Sequence, residues 1–173
     1  MKAIEFNGDL NAYLKEYDYQ PELTERLDRI GNAIFTQTTI NEIVLWKVNR
    51  YVQADQELIR KLNGLITLRN GEHRQGIEAL ISLLGTHGVD LPMASTLLRF
   101  RNPLVFQIID QHAYRAVYGI KYPLYAGSPT TRKIETYYEY LDKLIELCRV
   151  KSIDFISSDR LLYMFDKKLN GKL

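Results

Sequence analysis

In the segment Ile109-Asp110-Gln111-His112-Ala113-Tyr114-Arg115, a single carboxylate follows the large apolar residues Val105, Phe106, Ile108 and Ile109 and precedes an imidazole and a guanidinium. Apolar neighbours desolvate a carboxylate and raise its proton affinity, whereas amides at a helix start stabilise its charge. Asp110 is thus placed either as a working acid or as an ordinary helix N-cap. In Trp46-Lys47-Val48-Asn49-Arg50 the only tryptophan adjoins a lysine, a pair able to stack on and grip an unstacked base. The alternative is a buried Trp46 beside a solvent-exposed Lys47. His73 and His87 show no metal-ligand spacing with acids or with each other, so no metal is expected. Cys148 is the only cysteine, which excludes an intramolecular disulfide, a thiolate zinc site and a four-cysteine iron–sulfur cluster, and suits a reducing cytoplasm. Of the twelve tyrosines, Tyr114, Tyr118, Tyr122, Tyr125, Tyr137, Tyr138, Tyr140 and Tyr163 fall in the C-terminal third, where helical spacing favours core and surface roles over base stacking.

The elements that must position these groups read as helices almost throughout. Apolar residues recur at spacings of three and four, with few alternating β-branched runs, so the expected fold is all-α. Helices are predicted over about 9–17, 22–36, 39–52, 55–68, 72–84, 91–101, 109–118, 130–149 and 158–169. Gly71, Gly85, Gly88, Gly119 and Gly127 punctuate the connections. Pro123, Gly127 and Pro129 interrupt the longest irregular stretch, and Ser128, Thr130 or Thr131 is expected to cap the long helix that follows. The chain of 173 residues suits one domain, 1–173, with a sizeable core or two lobes sharing an interface. There is no run of eighteen apolar residues and no leader pattern, so no membrane association is expected. The net charge of +2 favours no partner by itself. Residues 1–30 hold four basic side chains against seven acidic ones, and the remainder nineteen against fourteen. Arg99, Arg101, Arg115 and Lys121 form a basic cluster suited to phosphates, or simply a solvated surface.

Residues 77–100 read as one unit. An apolar helix (Ile77, Leu80, Ile81, Leu84) leads into the turn Gly85-Thr86-His87-Gly88-Val89-Asp90, and a second helix starts with Asp90 as cap and Pro92 early in the first turn. A helix-hairpin-helix of this kind aims backbone amides and a helix N-terminus at one point, where a phosphate oxygen can sit; the alternative is a hairpin that only builds the core. Asp90 repels phosphate unless it turns inward as the helix cap.

Gly88-Val89-Asp90-Leu91-Pro92-Met93-Ala94-Ser95, followed by Ile109-Asp110-Gln111-His112-Ala113-Tyr114-Arg115, resembles the signature of the helix-hairpin-helix DNA glycosylase superfamily, to which endonuclease III belongs. That family has a Gly-Val-Gly hairpin and then a Val-Asp-Thr-His segment followed by an arginine. The Asp, His and Arg match here, and position 92 lies 18 residues before position 110. Ala33-Ile34-Phe35-Thr36-Gln37-Thr38-Thr39 is similar to the Ser-Gln-Gln-Thr segment that lines the family's base pocket.

The resemblance, which covers about residues 22–120, implies a two-lobed helical domain acting on double-stranded DNA without reading its sequence, as a monomer and without a cofactor. Asp110 is then the catalytic carboxylate, stabilising positive charge on the deoxyribose and activating water while the damaged, mismatched or modified base is flipped out. Gln37, Trp46, Lys47 and His112 are expected in or behind the base pocket, and Gly85, Gly88, Val89, Arg99, Arg101 and Arg115 at the DNA backbone. Where the family's lyase-competent members carry a lysine, this chain has Pro92, so a monofunctional glycosylase is expected, Lys47 being the lysine left to consider for that role. A catalytically inactive module binding DNA or a protein is the alternative.

Overall fold

The computed structural model describes residues 1–48, 52 and 54–171. Its elements are helices, with no strand among the described residues. Two short 3₁₀ segments, Ala3–Glu5 and Leu10–Glu16, precede α1 (Pro21–Asp28), α2 (Gln37–Val48), α3 (Gln56–Gly64), α4 (Ile77–Leu84), α5 (Leu91–Arg101), α6 (Gln111–Tyr118), α7 (Thr130–Lys151) and α8 (Ser158–Leu169).

Several predicted helices are shorter, for local reasons. The one expected over 22–36 stops at Asp28, because Gly31 takes a left-handed φ of +51° and the chain to Thr36 is not helical. The segment predicted over 9–17 forms a 3₁₀ helix, and 55–68 and 72–84 each divide into an α-helix and a 3₁₀ turn. Residues 49–51, in the predicted helix 39–52, lie outside the described residues. The long helix α7 starts without a side-chain cap; the Ser128 hydroxyl accepts instead from the Tyr125 amide. In α4 the buried face is Ala79, Leu80 and Leu83, whereas Ile77 and Ile81 are exposed.

Helix α5 forms the centre. All its residues except Pro92 are buried, and it packs against α2, α3 and α4. A helix buried on every side must satisfy each polar group it carries. Arg101 donates to the carbonyls of Leu62 (3.2 Å), Ala33 (2.6 Å) and Asn63 (3.1 Å), and Asn102 to those of Leu65 and Leu68, which closes the C-terminal carbonyls of α3 and its 3₁₀ extension. Along α7, the buried residues Tyr137, Tyr140, Leu141, Leu144, Leu147 and Cys148 repeat at helical spacing. α6 lies on α8, and α8 also packs on the Leu10–Glu16 segment.

The buried connection from Val105 to Ile109, between α5 and α6, positions Asp110. Its polar backbone is paired from two sides. Tyr137 and Tyr140 donate through their hydroxyls to the carbonyls of Gln107 and Ile108, both at 3.0 Å, and the Ile109 amide donates to Ser95 Oγ at 3.2 Å. Helices α5 and α7 thus fix the chain immediately before the carboxylate.

Candidate functional site

A cleft of about 220 Å³ opens where four parts of the chain meet. Tyr17 and Tyr19 come from the end of the N-terminal 3₁₀ segment, Trp46 and Lys47 from the last turn of α2, Ile108 and Asp110 from the entrance to α6, and Asp159, Arg160 and Tyr163 from α8. Asp110 is half-buried and performs two tasks. It caps α6, Oδ1 accepting from the Ala113 amide at 2.7 Å, and it borders the cleft. Of the two readings left open by the sequence, the helix cap is present, and the same side chain lines the cleft.

Trp46 is a fixed wall. It is 4% exposed, its Nε1 donates to Thr24 Oγ1 at 2.7 Å, and its ring meets Tyr19 and Phe100 edge-on, each at 5.3 Å. The Thr24 hydroxyl in turn donates to the Tyr19 carbonyl, and the Tyr19 hydroxyl to the Trp46 carbonyl, both at 2.8 Å. Lys47, read either as gripping a base or as solvent-exposed, is half-buried, with Nζ 6.0 Å from the Trp46 ring centre. Asn49 and Arg50 lie outside the described residues.

The floor of the cleft rests on an ionic network. Arg99 is 2% exposed, pairs with Asp28, approaches Asp159 at 3.6 Å and donates to the Ile156 carbonyl at 3.0 Å. Asp28 also pairs with Arg160, which lies over the Tyr17 ring at 5.5 Å. Burial pushes the Asp28 carboxyl up, but Arg99 and Arg160 outweigh it and hold the group below the ordinary carboxylate range. Burial, reinforced by the charge of Asp159, pushes the Tyr17 phenol well up. Arg99 and Arg101 are accordingly structural, which corrects the expectation that they face phosphates: α5 turns both inward, Arg101 donates to carbonyls, and Arg99 donates to Asp28 and the Ile156 carbonyl while its Nε, 3.6 Å from Asp159, makes no hydrogen bond.

A second buried carboxylate lies behind Tyr163. Asp166 is fully buried and accepts from Arg115 Nε at 2.9 Å and Nη2 at 2.8 Å, from Asn170 Nδ2 at 2.7 Å and from His112 Nδ1 at 2.7 Å. Burial pushes its carboxyl up, and the bonds from Arg115, Asn170 and His112 bring it below its ordinary value. The His112 ring meets Tyr163 edge-on at 4.9 Å, so it stands behind the cleft wall. Arg115 is bound to Asp166 and to the Gly171 carbonyl rather than presented to a phosphate.

Gln37 lies elsewhere. Its amide donates to Asn41 Oδ1 (3.0 Å) and the Val52 carbonyl (2.8 Å) and accepts from the Ala54 amide, and it borders a different depression with Ile34, Phe35 and Thr36. In the turn between α4 and α5, Gly85 and Gly88 are exposed, Gly88 with a left-handed φ of +79°. Val89 is buried and its amide donates to the Thr86 carbonyl at 3.1 Å, so this amide, expected at the DNA backbone, is used within the turn. Asp90 caps α5 through the Leu91 amide and pairs with Lys133 Nζ at 2.7 Å, which neutralises its charge. The phenol of Tyr122 is pushed up by burial and then by the charges of Asp90, Tyr114 and Asp110.

Burial raises the Cys148 thiol to about 12, which rules it out as a thiolate nucleophile near neutral pH. Among the described residues no group of three or more His, Cys, Asp or Glu side chains could hold a metal, and no helix is long and apolar enough to cross a membrane. Sequence reasoning passed over Tyr17, Tyr19, Asp159 and Arg160 as site residues. Their only signal was an aromatic pair and an Asp-Arg pair near opposite ends of the chain. Comparison with models of known protein families, with curated proteins and with solved structures finds no match.

Proposed function

We propose that this chain is a DNA N-glycosylase that hydrolyses the bond between deoxyribose and a damaged, mismatched or modified base. The observation that carries the reading is the Asp110 carboxylate at the edge of a cleft walled by Trp46, Tyr17, Tyr19 and Tyr163. A base extruded from a duplex needs such a place: aromatic faces to receive it and a carboxylate at the sugar. Water attacks C1′, the C1′–N bond breaks with its electrons leaving on the base, and Asp110 stabilises the positive charge on the sugar and takes the proton of the water. On this reading α4, the turn and α5 form a helix-hairpin-helix, with Gly85 and Gly88 exposed toward a phosphate and Asp90 neutralised by Lys133. The N-terminal and C-terminal helices act as two lobes meeting at the cleft. Double-stranded DNA is bound without sequence readout by a monomer, and the hairpin supplies no amine because position 92 is proline.

The test is release of free base from a panel of duplexes, each carrying one modified or mismatched base. Wild type is expected to release base and Asp110→Asn to fail. Asn accepts the Ala113 amide as Asp does, so the α6 cap and the fold are kept. Retained activity removes Asp110 from the mechanism. A second reading, a non-catalytic DNA-binding module, is favoured by Asp110 already serving as the α6 cap. It predicts salt-dependent duplex binding, indifferent to Asp110→Asn, with no base released.

A further inference from the structure

We propose that Asp159 selects the substrate, so that the base taken into the cleft is one that carries an exocyclic amino group on the edge turned away from its sugar. This rests on the base-excision reading and deepens it by naming the class of base. A buried acceptor left open carries the proposal. The Asp159 side chain is 5% exposed, and the residue lines the cleft. Its Oδ1 accepts from the Arg160 amide at 2.8 Å, whereas Oδ2 accepts no hydrogen bond among the described residues. The cationic donor beside it, Arg99 Nε, stands 3.6 Å away and is itself buried without a hydrogen bond. Arg99 is drawn off by Asp28 and by the Ile156 carbonyl, so it brings its charge close to Asp159 without filling the acceptor. The neighbouring polar groups are committed: Asp110 Oδ1 to the Ala113 amide, Trp46 Nε1 to Thr24, and the Tyr19 hydroxyl to the Trp46 carbonyl.

Buried polar atoms are nearly always paired, and a donor brought by a ligand pairs this one. A carboxylate oxygen accepts and cannot donate, so the ligand must present an N–H. On the excision reading the half-buried Asp110 stands at the sugar, and the more deeply buried Asp159 meets the far edge of the base. An exocyclic amino group offers its N–H there. A base with only a ring C–H at that place leaves Oδ2 dehydrated and unpaired, and one with a carbonyl sets oxygen against oxygen. The ring N–H of uracil or thymine is flanked by two carbonyl oxygens and meets the same repulsion. A site built to bind a polar group of its substrate rejects the analogue lacking it far more strongly than aromatic walls separate rings of similar size.

Trp46 is the only tryptophan and lines the same cleft, so its fluorescence reports occupancy without DNA or chemistry. The full chain is titrated with 9-methyladenine and with 9-methylpurine, which differ by the amino group alone and carry a methyl group where the sugar is joined. Wild type is expected to bind 9-methyladenine about tenfold tighter or more, the ratio that a hydrogen bond to a charged acceptor supplies. In Asp159→Asn the amide oxygen keeps the Arg160 bond and Nδ2 faces the amino donor, so the preference disappears. Asp159→Ser repeats the test with a smaller side chain, and the wild-type comparison needs no variant. Equal affinity of wild type for the two probes, binding of neither, or a preference that survives in both folded variants overturns the proposal. Because no DNA is present, the result is independent of base release. A preference that depends on Asp159 without base release from any duplex keeps the amino-group site and defeats excision, whereas release of uracil in place of amino-bearing bases defeats the Asp159 role and leaves excision standing.

Discussion

Replacing Arg101 by Met separates a structural arginine from a DNA-binding one. The substitution keeps most of the apolar stem and removes three donors, one bond to Leu62 being buried and those to Ala33 and Asn63 partly buried. A hydrogen bond from a charged donor contributes about 1.5–3 kcal/mol when buried and about 1 kcal/mol when part-solvated, so the three together come to about 4 kcal/mol. Against this stands the cost of burying the guanidinium itself, visible in a proton affinity lowered by burial; regaining part of it leaves a net loss of about 2–4 kcal/mol. In urea, with a slope of about 2 kcal/mol per M, the midpoint should fall by about 1–2 M. The exposed Arg132, replaced in the same way, serves as the reference and should leave the midpoint unchanged. If Arg101→Met instead leaves the midpoint unmoved and lowers the salt dependence of duplex binding by about one phosphate contact, the buried assignment is wrong.

Asp166→Asn should destabilise the fold by about 3 kcal/mol at pH 7, since it leaves Arg115 and His112 without their carboxylate. The folded-state value of Asp166 lies below that of the unfolded chain, so its stabilisation is present above about pH 4 and is lost as pH falls through the lower folded value. The acid limb of a Tm-against-pH curve should therefore flatten in Asp166→Asn; an unchanged limb contradicts the network. Gly88→Ala adds a Cβ that meets nothing within 4 Å but forces a side chain to φ +79°, so it should cost about 1 kcal/mol by thermal unfolding. A stabilised variant would show that the turn is not left-handed there.

What could be read from the sequence depended on how local the cause was. Helix α5 is fixed by its own Asp90 cap, early proline and continuous apolar surface, and it forms over the predicted residues. The Asp110 cap was likewise local and was one of the two readings offered. The fate of Arg99 and Arg101 was not local. Their spacing looks like a basic surface, and only the carbonyls of Ala33, Leu62 and Asn63 and the carboxylates of Asp28 and Asp159, distant in sequence, turn them inward. The cleft has the same character. Trp46, Asp110 and Tyr163 belong to the end of α2, the start of α6 and the middle of α8, which meet only after folding, and Tyr17 and Tyr19 complete it from the chain that follows the Leu10–Glu16 segment. Gln37 shows the reverse: a motif that suggested the pocket serves instead to tie α2 to Val52 and Ala54.

The most direct test is single-turnover base release by wild type, Asp110→Asn and Asp110→Ala, with each variant's Tm measured alongside. The account predicts that both variants lose release by about a hundredfold or more, while Asp110→Ala alone also loses about 1 kcal/mol of stability with the α6 cap. Release by Asp110→Asn at the wild-type rate, or a loss of release that follows Tm rather than charge, would show that Asp110 is only a cap and contradict the account.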